Sequence, residues 1–300
     1  MYTIKQASRL TGVSEASLRA WERRYGVVVP HRNESGYRLY DEQALSAVST
    51  MRRLVDNGWS PAEAAEAVRS GTAPAVLDEV VGGETANGVD QPNAFTYMER
   101  FLSSAAQMDA AGIEETLDGG FALGSFEHVV DSWLFPALEA LGEGWARGEI
   151  DVAGEHAASH AVHRRLSAAF DAAGSRSRGP AVVVGLPSGS QHDLGALAFA
   201  TAIRRRGMDV LYLGANVPVS SWEAAVRSRE ARAAVLSVVT PEDRPAAVAV
   251  AERLLSQAPV PIVCAGGASA PNLAGGVQTL ASSIGAAARE LDQLAHGTEH

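Results

Sequence analysis

Leu18-Arg19-Ala20-Trp21-Glu22-Arg23-Arg24-Tyr25-Gly26, followed downstream by Gly36-Tyr37-Arg38-Leu39-Tyr40-Asp41, is the part of the chain from which the rest can be read. Before it, Ile4, Ala7 and Leu10 fall on one helical face, Thr11-Gly12-Val13 makes a tight turn, and Ser14 is placed to cap a second helix. That helix carries Leu18 and Trp21 inward and Arg19 and Arg23 outward, with Arg24 and Tyr25 after them. The pattern predicts a helix-turn-helix. Guanidinium groups so placed can reach base edges and phosphates in a major groove, but two short helices with arginines on a solvated face satisfy the same residues equally well. Residues 31–41 then read as a small hairpin, with Gly36 at the turn, Tyr37 and Arg38 at the tip and Asp41 capping the next helix.

Charge separates this region from the remainder. The 300 residues carry a formal net charge of -10, yet residues 1–53 hold nine Lys and Arg against five Asp and Glu, which is +4 and leaves -14 for the rest. A basic end on an acidic body is a local footprint for phosphates, weak by itself. The motifs make it specific. Residues 2–70 resemble the MerR-type winged helix-turn-helix regulators in the opening Tyr2-Thr3-Ile4, in the run from Leu18 to Gly26 and in the wing from Gly36 to Tyr40. The resemblance implies binding to a double-stranded DNA operator, with Tyr37 and Arg38 of the wing on the DNA backbone. Arg19, Arg23, Arg24 and Tyr25 are the further candidates, and which arginine reads a base stays open.

A composition of 46% hydrophobic residues over this length is enough for two or three cores, which excludes a disordered chain. No apolar run reaches the roughly 18 residues of a membrane span and the opening residues lack a signal-peptide core, so a cytoplasmic protein without membrane contact is expected. The single cysteine, Cys264, can form no internal disulfide, in keeping with a reducing compartment. A winged helix-turn-helix domain in 1–81 is followed by an aperiodic linker, 82–94. Residues 95–173 are helical in pattern, with breaks at Gly119-Gly120, Pro136 and Gly148, and predict a four-helix bundle. From 179 to 298 the β-type runs 181–186, 210–213, 234–239 and 260–264 alternate with helical stretches, the signature of a Rossmann-like parallel α/β domain. The fold class is therefore multi-domain, α and α/β.

The first of those strands runs into Pro187-Ser188-Gly189-Ser190-Gln191-His192-Asp193-Leu194-Gly195 and a helix. His192 thus sits at the carboxyl end of a strand, where open α/β sheets bind ligands, although a polar histidine capping the helix is the plainer reading. Ser237 near the end of the third strand and Gly266-Gly267 after the fourth add small residues on which a bulky ligand can lie. In this order the residues resemble the cobalamin-binding domains of corrinoid enzymes and sensors. The resemblance implies a cobalamin cofactor, His192 as the lower axial cobalt ligand, and Gly195, Ser237, Gly266 and Gly267 as further contacts, the serine and paired glycines lining the slot for the dimethylbenzimidazole tail. One position departs. The family has Asp or Glu two residues before the histidine, to orient its imidazole; here Ser190 stands there, and neighbouring Asp193 can substitute only if the loop turns it back.

Between these regions Trp145 precedes a Glu155-His156 pair. Taken alone they read as a core tryptophan and a polar pair at a helix start. Followed by the α/β region, the spacing resembles the Trp-x9-Glu-His motif in the helical caps of CarH/LitR-type light-dependent repressors, and the resemblance then covers the whole chain. It implies that Trp145, Glu155 and His156 pack around the upper 5′-deoxyadenosyl group of adenosylcobalamin. Light-responsive members carry a histidine directly after the tryptophan, where this chain has Ala146, which cannot ligate a metal; His156, His160 and His163 are other imidazoles on the following helix. The expectation is a transcription regulator and not an enzyme: a repressor and photoreceptor in which adenosylcobalamin and light alter a homo-oligomer, dimer or tetramer, and its hold on DNA. Two rivals remain open. One is a corrinoid methyl-transfer protein, against which the winged helix argues; the other is a regulator of the same build that senses another ligand or ignores light, which Ser190 and Ala146 favour.

Overall fold

The computed structural model describes residues 2–11, 13, 15–27, 31–32, 38–56, 61–70, 94–174, 179–257 and 260–297. Two compact units divide the chain, Met1–Gln91 and Pro92–His300. The first contains β1 (Tyr2–Thr3), α1 (Ile4–Thr11), α2 (Glu15–Tyr25), β2 (His31–Arg32), β3 (Arg38–Tyr40), α3 (Glu42–Asp56) and α4 (Pro61–Ser70). β3 lies between the other two strands, antiparallel to both, with Tyr40 opposite Tyr2 and Leu39 opposite His31. Ala7, Val13, Leu18, Tyr40 and Val48 form the buried centre, so the inward face assigned to Leu18 holds. Trp21 and Tyr25 pack, partly buried, beside Met51 and Leu54. The Asp41 carboxylate accepts the Ala44 N–H at 2.7 Å and caps α3 as expected. Gly12, Ser14, the wing tip with Gly36 and Tyr37, and residues 71–93 lie outside the described residues.

The second unit begins with four helices. They are α5 (Ala94–Ala106), α6 (Ala110–Phe121), a long helix composed of α7 (Phe126–Val129), a π-helical turn (Val130–Leu134) and α8 (Phe135–Ala146), and α9 (Val152–Ala172). Of the expected breaks, the one at Gly119-Gly120 comes one residue later, where α6 ends at Phe121, and Pro136 does not break its helix. α6 runs through Gly119 and Gly120 because aromatic rings cover them: an added Cβ would lie 2.1 Å from the Tyr97 ring and 2.5 Å from the Trp133 indole. Pro136 has no N–H to give the preceding turn, and the π turn directly before it absorbs the mismatch, so the helix continues. Gly148, at φ +72°, does lie in the turn between two helices.

The α/β part follows as β4 (Ala181–Pro187), α10 (Leu194–Arg205), β5 (Asp209–Val217), α11 (Val219–Arg229), β6 (Ala233–Ser237), a 3-10 turn (Pro241–Asp243), α12 (Arg244–Gln257), β7 (Ile262–Gly266), β8 (Gln278–Thr279) and α13 (Ile284–His296). The strands form one parallel sheet in the order β5-β4-β6-β7-β8. β4 reads as an unbroken apolar run because both of its faces are covered. β7 begins only after Pro261, which has no N–H for the ladder, and the edge strand β8 is an addition to the four strands expected. One buried core runs continuously from Phe101, Trp133 and Leu166 of the helices to Val182, Leu197, Cys264 and Leu291 on the near face of the sheet. A second lies behind it around Val183, Trp222 and Val250. The four helices are also tied down by polar contacts: the Asp131 carboxylate accepts the N–H groups of Ile284 (2.7 Å) and Gly285 (3.0 Å) at the start of α13, and Arg205 meets Glu127 at 3.0 Å. Among the described residues no helix is long and apolar enough to cross a membrane.

Candidate functional site

In the first unit α2 ends on Arg23 and Arg24, both exposed like Arg19, while Tyr25 is half-buried. Arg38 opens β3, and its Nε donates to Glu22 Oε2 at 2.6 Å, a bond that raises the pKa of the guanidinium. Glu22, which the sequence reading passes over, therefore holds the base of the wing against α2. The charge at that corner is fixed by geometry, since a part-buried bidentate-capable group with one nitrogen tied keeps its terminal nitrogens in a limited arc.

The second site lies where strand order reverses. β4 has β5 on one side and β6 on the other, so the loops leaving β4 and β6 diverge and open a crevice at the carboxyl edge of the sheet. The loop after β4 is pinned to the end of β5: Gly189 N–H donates to Asn216 Oδ1 at 2.8 Å, and Asn216 N–H donates to the Ser190 carbonyl at 3.0 Å. Gly189 and Asn216 both have positive φ, +88° and +56°, which lets the two chains meet. His192 projects from this loop exposed, and its ring enters none of the described hydrogen bonds. It does not cap α10, whose N-cap is Asp193, so the plainer reading of His192 falls away. Asp193 is not turned back towards it either: the Asp193 carboxylate accepts from Tyr212 Oη at 3.2 Å and faces His163 Nε2 at 3.4 Å. Burial first, and the Asp193 charge second, push the Tyr212 phenol far above its ordinary range, so it stays a donor.

Small residues complete the edge. Ser237 ends β6 opposite Gly266 in the ladder. Open space lies where Cβ atoms of Gly195 and Gly266 would stand, whereas one on Gly267 (φ +106°) would come within 2.5 Å of the Val238 carbonyl. Gly267 is thus required by the backbone, and Gly195 and Gly266 are required by nothing inside the protein. Ser190 is 1% exposed, and its hydroxyl is an unpartnered buried group.

The other candidates lie in the helical part. Trp145, near the end of α8, is 52% exposed and so is not the core anchor that its type suggests. Ala146 beside it is exposed. Asp151 caps α9 by accepting the Ala153 N–H at 2.8 Å, and in the first turns Glu155 accepts from Ser159 at 2.6 Å and meets His156 Nδ1 at 2.6 Å. Partial burial opposes ionisation of Glu155, but the bonds from Ser159 and His156 and the histidine charges outweigh it and hold the pKa low. His156 and His160 stack at 6.4 Å between centroids. The register of α9 follows from its lower contacts: His163 lies level with the His192 loop at Asp193, and Phe170 packs further down, under Arg204 and beside Tyr212. Seven residues, about 10 Å at the helical rise, separate His163 from His156 along α9. A separate groove of about 550 Å³ between α5 and α6 includes Tyr97, Arg100 and Glu115 in its lining and holds none of the candidate residues.

Residues 2–71 match the MerR HTH family regulatory proteins, and residues 97–169 and 180–282 each match a B12 binding domain. The HTH-type transcriptional repressor CarA of Myxococcus xanthus is 32% identical over 268 residues, 88% of this chain and 85% of its own. The repressor CarH of the same organism is 33% identical over 225 residues, 75% of this chain and 74% of its own. Among solved structures, the monomethylamine corrinoid protein of Methanosarcina barkeri superposes with a TM-score of 0.51 at 16% identity, covering 66% of this chain and 98% of that one, a likeness of fold alone. With its three matched regions in that order and relatives at this identity over most of its length, the chain belongs to the MerR-type transcription regulators with B12-binding domains.

Proposed function

We propose that the protein is a repressor that holds adenosylcobalamin between its helical and α/β parts and couples the state of that ligand to oligomerisation and operator binding. The observation that carries this is the contact of α9 with the His192 loop: His163 meets Asp193 at 3.4 Å, and Glu155 and His156 lie about two turns further along the same helix. The residues present fit a corrinoid. The His192 imidazole is exposed at the crevice, the Cβ positions of Gly195 and Gly266 open onto free space, and the helical part offers one exposed aromatic face and two hydrogen-bonding side chains, as an adenosine needs. His192 would hold the cobalt from below, Ser237, Gly266 and Gly267 the tail, and Trp145, Glu155 and His156 the upper group, whose bond to cobalt supplies light sensitivity when the cofactor is bound. Arg19, Arg23, Arg24, Tyr25 and Arg38 would contact DNA, together with Tyr37 from outside the described residues. The relatives are transcription repressors, which favours this reading over methyl transfer by a similarly folded protein.

Adenosylcobalamin added in the dark should bind with the spectrum of an imidazole-ligated corrinoid, and His192→Ala should lose that spectrum. Green light should then change the sedimentation of the wild-type complex. Binding with an unchanged spectrum in the His192 variant would remove the lower-ligand assignment. A cofactor that binds while light leaves assembly untouched would favour a light-independent cobalamin sensor, the reading that Ala146 supports.

A further inference from the structure

The loop after β4 carries a hydroxyl where the relatives' pattern asks for a carboxylate, and the fold supplies a carboxylate behind it. Asp243 ends the 3-10 turn after β6, far from Ser190 in sequence, and is 7% exposed. Its Oδ2 takes both described hydrogen bonds, from the N–H groups of Thr240 (2.8 Å) and Val239 (3.2 Å). Burial works against the charge, but the Thr240 bond, the Ser190 hydroxyl and the Val239 N–H keep Asp243 ionised well into the acid range. Ser190 is therefore close enough to act on Asp243, yet its hydroxyl closes no bond of full geometry, and His192 two positions on is unsupported. The Ser190 hydroxyl and the Asp243 carboxylate are thus buried on the two loops that flank the crevice, and His192 lies exposed on the first of them.

Building on the cobalamin reading, we propose that Asp243 is the carboxylate that positions His192, acting through Ser190. The Ser190 hydroxyl donates its proton to the carboxylate and accepts the N–H of the imidazole, which leaves the lone pair of the other ring nitrogen free for the metal. One hydroxyl can do both, having one donor and two lone pairs. The relay fixes tautomer and ring direction, as a ligating histidine requires from the group behind it. Ser190 is then not a loss relative to the family pattern; the carboxylate has moved to the neighbouring loop.

The test titrates the full chain with adenosylcobalamin in the dark at pH 8, where the free imidazole is neutral and proton competition drops out. Asp243→Asn and Ser190→Ala should each weaken binding about 10- to 100-fold and move the spectrum towards the His-off form, the range for loss of such a supporting partner. In a His192→Ala background Asp243→Asn should cost nothing further, because the residue acts only through the imidazole. The exchange Ser190→Asp with Asp243→Ser should return affinity to within about threefold of wild type. Thermal melting of each apo variant guards against a folding artefact, since a variant that melts like wild type has lost only the support of the imidazole. Equal losses from Asp243→Asn with and without His192 would make Asp243 a cap and nothing more, and overturn the proposal. So would unchanged spectra in Asp243→Asn and Ser190→Ala. A wild-type chain that binds no cobalamin, or binds it His-off, would instead remove the cobalamin reading itself and this proposal with it.

Discussion

Arg38 shows how one side chain can serve fold and function together. Its Nε is held by Glu22, and its side chain keeps an exposure of 31% at the start of β3. If its terminal nitrogens meet a phosphate, Arg38→Ala should weaken binding to every DNA sequence alike and lower the salt slope by about 0.9, one counterion's worth. A loss confined to one base-pair position in a binding scan would instead make Arg38 a base reader. The arginine is visible in sequence because it sits in the Gly-Tyr-Arg-Leu-Tyr wing; Glu22 is not, since its partner lies sixteen positions away and only the fold brings them together. The same limit hides Asp243. His192 can be found by counting from the end of a strand, a local measure, whereas the hydroxyl and carboxylate that flank the crevice meet only when β6 is laid beside β4.

Elements were legible to the degree that their signal is periodic. The four helices of the middle region and the alternation of strands with helices follow from apolar spacing, and they appear in the structure in that order. Proline misled before α8, where a π turn accommodates it, whereas the break read at Gly119-Gly120 falls one residue later, at Phe121. Gly119 and Gly120 read as a break, but they are the floor on which Tyr97 and Trp133 lie. Gly120→Ala therefore tests the difference. In an open turn the change would be neutral or slightly stabilising, whereas here the new methyl meets the indole of a residue that is 1% exposed. We expect a loss of about 1–3 kcal/mol, seen as a lower thermal midpoint with altered Trp133 environment in the near-ultraviolet. An unchanged midpoint would show that the indole can retreat and that the close approach is not structural.

At the scale of the whole molecule the order of the parts was readable, but the seating of α9 was not, because it depends on where His163 and Phe170 settle against Asp193 and Tyr212. The final expectation concerns Ala146. The chain ends α8 with Trp145 and Ala146 both exposed, and position 146 offers no imidazole. A regulator with one winged helix per chain gains affinity from two half-sites, so the dark complex with adenosylcobalamin should be at least a dimer. Light should loosen it, because sensitivity of the cobalt–carbon bond is a property of the cofactor that Ala146 does not remove. What Ala146 should change is retention: the illuminated wild-type protein should show one imidazole in its spectrum and give up corrinoid readily on gel filtration. Ala146→His should add a second imidazole and hold the corrinoid through the column, with the dark assembly unaltered. If the wild type already gives a two-imidazole spectrum after light, then one of His156, His160 or His163 moves to the metal, and α9 must shift along the sheet to let it, breaking the His163 contact with Asp193 as it goes.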